Sequence, residues 1–338
     1  MEATTDIAKN IANTNLRFTS PLAELKSKKI TYDIGKSELD SEVDLHVPDL
    51  KKVAFITGKE LAGTIDVNNK IDMKDGELFY KGYSKTLGGE IKIDFAKERL
   101  QIGATNILAT ELGKMLQLGD LLQGGTFRLD ADLNIPKNAP ELMRVISGKI
   151  TFRGENFTLN GYNIDMMINN FKDTQSINLM DIGAFVVAGP LGIAATKGVG
   201  VGGTALGSSG GATLIQEMLV DLDIKSGVAN AKDVAFATRT NLIAAKGDVR
   251  LWDYGLNNFW IAVMDKYGCT QFKQEVGGTL DNPQIKATQA SFEVVKNVVK
   301  SVGSLFGDTL GKVVDTVSGG ESEKKCEKFY QGSVKYPK

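Results

Sequence analysis

One pattern in the chain could supply a nucleophile. Residues 207–211 match G-x-S-x-G, which in serine hydrolases makes a sharp turn that exposes the central serine, here Ser209. Such a serine needs a base, and His46 is the only histidine in the sequence. His46 continues an alternating acidic pattern, so a strand would turn its imidazole toward solvent. We therefore favour a flexible glycine-serine loop over a hydrolase site.

A second glycine pattern invites a cofactor interpretation. Residues 198–203 match G-x-G-x-x-G, the phosphate-binding turn of dinucleotide folds. That turn needs a strand before it, a helix after it and alternating β and α units around it, and the surrounding sequence predicts none of these. Glycines that let a loop bend explain the pattern better, and we predict no cofactor.

Alternating carboxylates raise the question of a metal site. They occupy Glu38, Asp40, Glu42 and Asp44. Successive side chains on one face of a strand lie roughly 6.5–7 Å apart, too far for neighbours to hold one hard cation without another chain segment. One histidine and two cysteines cannot build a four-ligand His/Cys zinc site or an iron–sulfur cluster. We predict no metal site and interpret the carboxylates as a solvated, repulsive edge that discourages aggregation.

Composition narrows the class of protein. The 338 residues include 40 Lys plus Arg and 41 Asp plus Glu, so no basic excess is present to bind nucleic acid. Residues 1–14 lack the basic start and apolar run of a secretory signal. The longest apolar stretch, residues 182–196, is interrupted by Pro190 and is shorter than the roughly 20 residues of a spanning helix. We predict no transmembrane helix in this chain.

The elements that position these residues are mainly strands. From Lys29 to Ile135, apolar and polar residues alternate, which is typical of strands with one wet face. Closely spaced turn signals predict a meander of neighbouring strands, with short helices over residues 109–118 and 140–147. We therefore predict a mainly β fold, a curved antiparallel sheet that forms an elongated groove.

Three regions follow from these patterns. Residues 1–135 form amphipathic β repeats, and residues 136–289 continue the sheet around a helical and glycine-rich insert at 162–211. Residues 290–338 form an amphipathic helix that covers an apolar surface, followed by a tail containing Cys326.

A series of short motifs runs through the carboxy-terminal two-thirds of the chain. The motifs are Asp181–Ala184, Ala188–Gly192, Thr196–Gly198, Gly227–Ala229, Asp233–Thr238, Gly268–Cys269, Gly278–Pro283 and Cys326–Val334. In their order and combination over about 200 residues they resemble the AsmA-like family of Gram-negative envelope proteins, and the upstream amphipathic strands resemble the β repeats of the same proteins.

This resemblance implies a periplasmic protein whose curved β-groove carries phospholipids for outer-membrane biogenesis. It also implies an inner-membrane anchor, through a segment that we expect to lie outside this sequence, and leaves envelope proteins as partners. Cys269 and Cys326 are the only cysteines, and an oxidising periplasm would favour a disulfide between them. Two unrelated free thiols are the alternative.

The apolar faces are the candidate lipid site. Several strands place apolar residues at the same parity, so these residues share a surface that could take acyl chains, which need burial but few directional contacts. The alternative is that the same faces pack into a dry core. The second candidate function is a scaffold for outer-membrane protein assembly that carries no lipid. The serine hydrolase is the third. The predicted lining residues are Val43, Leu45, Ile91, Ile93, Phe95, Phe127, Leu129 and Leu133.

Overall fold

A computed structural model describes residues 1–58, 60–174, 210–280, 282–290 and 328–337. Its main feature is a single antiparallel sheet of 17 strands. The sheet is curved and open, with few helices, and it confirms the mainly β fold expected from the alternating sequence.

The strands are short, and most contain eight to ten residues. Their bounds are β1 Glu2–Ala8, β2 Ile11–Thr19, β3 Glu24–Asp33, β4 Glu38–Val47, β5 Ile65–Lys74, β6 Glu77–Thr86, β7 Gly89–Ala96, β8 Arg99–Leu108, β9 Leu122–Gln123, β10 Thr126–Asn134, β11 Ser147–Asn160, β12 Ala212–Lys225, β13 Val228–Ala237, β14 Leu242–Arg250, β15 Leu256–Met264, β16 Thr270–Gly278 and β17 Pro283–Ala290.

The sheet is a meander in chain order. Each strand from β1 to β8 pairs with the next, β8 pairs with β10, and β10 to β17 again pair consecutively. The two-residue strand β9 pairs with β11 beyond the end of β10. Strands β10 and β11 lie on either side of the region boundary predicted at residue 135, and they pair along the whole length of β10. Among the pairings described, none joins β1 to β17.

Two-residue turns join many of the strands. Asp75 and Gly76, between β5 and β6, both have positive φ, as do Lys97 and Glu98 between β7 and β8. Two positive φ values in succession match the right-handed twist of a hairpin. Both turns agree with the sequence signals. The turn predicted at Gly88 and Gly89 is centred one residue earlier, because Gly89 already belongs to β7.

Helical segments are short and lie in the longer connections. The helices are α1 Ala54–Thr57, α2 Ala109–Met115, α3 Leu142–Val145 and α4 Ile164–Thr174, with 3-10 helices at Leu50–Val53 and Gly119–Leu121. Helices α2 and α3 lie where helices were predicted but are shorter. The remainder of the glycine-rich insert and the predicted carboxy-terminal amphipathic helix lie outside the described residues.

Three long connections leave the sheet at the same end. They follow β4, β8 and β11, which run in the same direction because neighbouring strands are antiparallel. Helices α1, α2 and α4 lie in these connections. We call this the helical end of the sheet, and the opposite end is built mainly of tight turns.

The largest core cluster lies on one side of the sheet. It joins buried side chains of β8 and of β10 to β16 to those of α2 and α4, including Leu112, Ile168, Phe236 and Val263. Ile168, Phe236 and Val263 are fully buried. Burial of such side chains contributes about 1.5–3 kcal/mol each, so the helices stabilise the second half of the sheet.

Candidate functional site

The strand register places all eight predicted lining residues on one face, which we call the apolar face. Directly paired residues of antiparallel strands project to the same side. Ile93 pairs with Gly82 on β6 and Ile102 on β8, while Gly82 pairs with Asn69, which pairs with Val43. The same rows continue into β10, where Ala131 pairs with Ile102. Whether this face binds lipid stays a prediction.

Coverage of the apolar face differs along the sheet. Phe127 is 2% exposed and Leu129 packs against the same core, so β10 lies beneath the helices. Ile93 and Phe95 on β7 are only half-buried. Val43 on β4 is buried, Ile91 packs against the same core as Leu129, and Leu45 packs against the turn that follows β4. Ile93 and Phe95 belong to none of the described hydrophobic clusters. The apolar face is therefore covered least around these two residues, in the middle of β4 to β7, and we call this region the uncovered strip.

A few polar side chains interrupt this strip. The Tyr80 hydroxyl donates to Asn69 Oδ1 at 2.8 Å, and Asn69 Nδ2 donates to the backbone oxygens of Val43 and Val67. Burial raises the pKa of Tyr80, so its phenol stays neutral. The Ser84 hydroxyl is buried and has no hydrogen-bond partner among the described residues. Because Tyr80 and Asn69 satisfy each other, the strip presents mainly hydrocarbon.

The opposite face, which we call the polar face, carries ion pairs between neighbouring strands. Asp40 pairs with Lys29, and Asp44 pairs with Lys28 at 2.7 Å. Hydrogen bonds from these lysines hold the pKa of each carboxyl below its ordinary value. Strand β4 lies inside the sheet, between β3 and β5. The interpretation of the carboxylates as a repulsive edge is therefore wrong, because neighbouring strands supply lysines.

A trench of about 430 Å³ crosses this polar face from β4 to β8. Its floor is the backbone of the row that contains Gly82, and its walls carry both signs of charge. Lys81 on one wall pairs with Asp94 at 3.6 Å. Because the wall charges are balanced locally, the trench offers no concentrated anion or cation site. Within the described ranges, no group of three metal-ligating side chains occurs.

His46 lies on the polar face, as its parity predicted. Its Nδ1 is 2.7 Å from Asp66 Oδ1 on the neighbouring strand, and the side chains of His46 and Asp66 are 40% and 75% exposed. We expect His46→Ala to leave lipid content and melting temperature unchanged, because an exposed pair contributes little to stability. Thermal unfolding and lipid analysis of the variant check this, and a large loss of either would contradict the assignment.

The two glycine motifs lie largely outside the described residues. Ser209 and residues 198–203 are not described, whereas Gly210 and Gly211 lead into β12 with positive φ. Six strands separate β12 from β4, which carries His46. All described strand pairs are antiparallel, which differs from the parallel units of a dinucleotide fold.

A carboxy-terminal segment covers the second half of the sheet on the side opposite the helices, where the strands carry apolar residues. We call residues 328–337 the tail. Phe329, Tyr330 and Val334 are buried against the side of β12 to β15 that faces away from the helices. Asp233 holds the tail by accepting hydrogen bonds from the Tyr330 hydroxyl and from both the backbone N–H and hydroxyl of Ser333. The sequence analysis did not predict this contact.

Close packing at this contact requires a residue without a side chain. A Cβ added at Gly332 would lie 2.2 Å from Asp233 Oδ1 and 2.4 Å from the Tyr330 ring. Asp233, Tyr330, Gly332 and Ser333 all belong to the motifs that carry the family resemblance. Those motifs therefore meet in space although about 100 residues separate them.

Helix α4 is fixed to the helical end by a second carboxylate. Asp165 Oδ1 accepts hydrogen bonds from Thr238 Oγ1 at 2.5 Å and Asn241 Nδ2 at 2.6 Å, both in the turn between β13 and β14. The backbone N–H of Ile164 donates to Thr213 Oγ1. These bonds satisfy buried polar groups and hold α4 against the core.

The predicted disulfide joins a described residue to one that lies outside the described ranges. Cys269 precedes β16, and its N–H donates to Asp265 Oδ1 at 2.9 Å. Cys326 is not described, so the pairing stays a prediction.

We expect Cys326→Ser to lower the melting temperature, because the chain-entropy model assigns roughly 4 kcal/mol to a loop of this length. Calorimetry of both forms measures the effect. Two thiols that react with maleimide in the denatured, non-reduced protein would refute the bond.

No protein-family model, curated protein or solved structure matches this chain. Among the helices that the structure describes, none is both long and apolar enough to cross a membrane.

Proposed function

We propose that this protein is a periplasmic lipid-binding module of the AsmA-like type, which holds phospholipid acyl chains on its apolar face and moves them between membranes. The uncovered strip across β4 to β7 is the observation that carries the proposal. The resemblance of the short motifs to that family supports it. The proposal includes no enzymatic step and no cofactor.

The chemistry of the strip suits an acyl chain. Ile93 and Phe95 on β7 offer half-buried hydrocarbon, flanked by Ile91 and Leu45, which pack against the neighbouring clusters. Each CH₂ group buried against them contributes about 0.8 kcal/mol. A chain lying across the strands needs no directional partner, so a headgroup site is unnecessary for binding.

The uncovered position of the strip also suits transfer. A closed cavity would have to open before a lipid could enter, whereas an open sheet accepts a chain along its whole width. Successive strands lie about 4.8 Å apart, so the strip across β4 to β7 offers a path of roughly 14 Å.

Lipid extraction and mass spectrometry of the purified protein test the proposal. We expect phospholipid to copurify in a defined ratio, and native mass spectra to show the loaded chain. Protein that is folded and free of lipid, and that takes none up from vesicles, would contradict it. Capture of envelope proteins by such lipid-free material would favour the scaffold function.

A further inference from the structure

The connection between β4 and β5 exposes two large apolar side chains. Phe55 and Ile56, on the single turn of α1, are 74% and 72% exposed. Leu22, in the turn between β2 and β3, is 40% exposed, and its neighbour Ala23 packs against the base of the same connection. Exposed apolar groups collected in this way mark an interaction surface.

The turn that presents them is firmly held. Leu50 and Val53 are buried in a cluster with Val47, at the end of β4. Asp49 accepts a hydrogen bond from the Lys51 N–H at 3.1 Å, which caps the 3-10 helix. Gly58 closes α1 by donating its N–H to the Ala54 oxygen. Phe55 and Ile56 are thus exposed on a turn whose base is packed against the end of β4.

Two lysines adjoin the apolar pair. Lys51 and Lys52 are exposed, and neither forms an ion pair with any described residue. The lysines of the polar face differ, since Lys28 and Lys81 each lie beside a carboxylate. The acidic residues of this connection are Asp49, whose carboxylate serves as the cap, and the exposed Glu60. The turn therefore combines two lysines outside any described ion pair with exposed hydrocarbon.

We propose that residues 50–58 dock the protein on an anionic lipid bilayer, with Phe55 and Ile56 inserted among the acyl chains and Lys51 and Lys52 against the phosphates. A protein partner binds an amphipathic helix in a hydrophobic groove, and the single turn of α1 is too short to fill such a groove. Basic residues beside bulky apolar ones are the combination that binds at a membrane interface. Each lysine near an anionic surface strengthens binding by about fivefold.

Vesicle co-sedimentation of the full chain tests this docking. The probes are phosphatidylcholine vesicles with and without phosphatidylglycerol. We expect binding to the anionic vesicles, weakened about tenfold or more in the double variant Phe55→Ser with Ile56→Ser. The pair Lys51→Ser with Lys52→Ser should lose the preference for anionic vesicles, as should the wild type in high salt. Ile34→Ser is the matched control, since Ile34 is 47% exposed in a turn at the opposite end.

A spectroscopic measurement locates the insertion. Tryptophan at position 55, introduced as Phe55→Trp, should shift its emission to the blue on vesicles and be quenched by brominated acyl chains. The docking proposal would be overturned if the wild-type protein did not bind anionic vesicles. It would also be overturned if the Phe55 and Ile56 double variant bound them as strongly as the wild type. Because the apolar face is untouched, that variant should keep its copurified lipid. Failure of docking is thus separable from failure of acyl-chain binding.

Discussion

Replacing Ile93 by aspartate should abolish acyl-chain binding and leave the protein folded. Ile93 lies in the middle of the uncovered strip, paired with Gly82 and Ile102. Ile93 is partly exposed, so a carboxylate there can reach water in the empty protein and costs less than one buried in the core. A bound acyl chain would bury the charge without a partner, which costs several kcal/mol. Mass spectrometry of copurified lipid, with circular dichroism for the fold, measures both effects.

Matched variants separate the lipid effect from a general loss of stability. Asp94→Ala alters the adjacent residue on the polar face, removing the ion pair with Lys81, and should keep lipid at the wild-type level. Leu129→Asp should instead destabilise the protein, because Leu129 packs against the core. A folded Ile93→Asp protein with normal lipid content would contradict the proposed function.

Removing the Asp233 carboxylate should release the tail from the sheet. Asp233 accepts three hydrogen bonds from Tyr330 and Ser333, and bonds to a charged group contribute about 1.5–3 kcal/mol each, without being additive. We expect Asp233→Ala to lower the free energy of unfolding by about 3 kcal/mol. Urea titration measures this loss, and limited proteolysis should show early cleavage of residues 328–337.

The control for this variant is Asp248→Ala. Asp248 accepts one exposed hydrogen bond from Asn230, so its loss should change stability by less than about 1 kcal/mol. Gly332→Ala should reproduce the Asp233→Ala defect, because the new methyl group would collide with the carboxylate. If Asp233→Ala and Asp248→Ala behaved alike, the tail would not depend on this contact.

Alkaline pH offers a second readout of the same contact. Burial, together with the hydrogen bond to Asp233, raises the pKa of the Tyr330 phenol far above its ordinary value of 10.0. The unfolded chain therefore releases this proton near pH 10, while the folded chain retains it. Stability should be complete below pH 10 and fall as the pH rises further. Tyr330→Phe should be less stable at neutral pH and lose this additional decline.

The alternation of the sequence was sufficient to predict the middle of the sheet. Strands β4 to β10 have apolar residues on one side and charged residues on the other. Residues 1–135 were predicted as amphipathic β repeats, but no alternating run was identified before Lys29. Every residue of β1 is exposed, which leaves no alternation in burial to detect. Strand β2 does alternate, between half-buried Ala12, Thr14 and Leu16 and three exposed polar residues, and this weak pattern was missed.

The contacts between distant segments could not be predicted in the same way. Lysines 28 and 29 neutralise the acidic row of β4 only through the cross-strand register, which a bulge between Ser27 and Lys29 displaces. Tyr330 meets Asp233 from 97 residues away, and the tail has no periodic pattern. These contacts depend on the register between strands and on long-range packing. The spacing of residues along the sequence reveals neither.

The chain-ordered meander also sets how this molecule can fold and how its length can change in evolution. Almost every strand pairs with its neighbour in sequence, so the sheet can grow by adding hairpins in turn, with little loop entropy lost at each step. Duplication of one hairpin would lengthen the apolar strip by roughly 9.6 Å and leave the order of the other strands unaltered. The width of the apolar strip therefore depends on the number of hairpins, and the distant Asp233–Tyr330 contact forms only after the hairpins that carry it are in place.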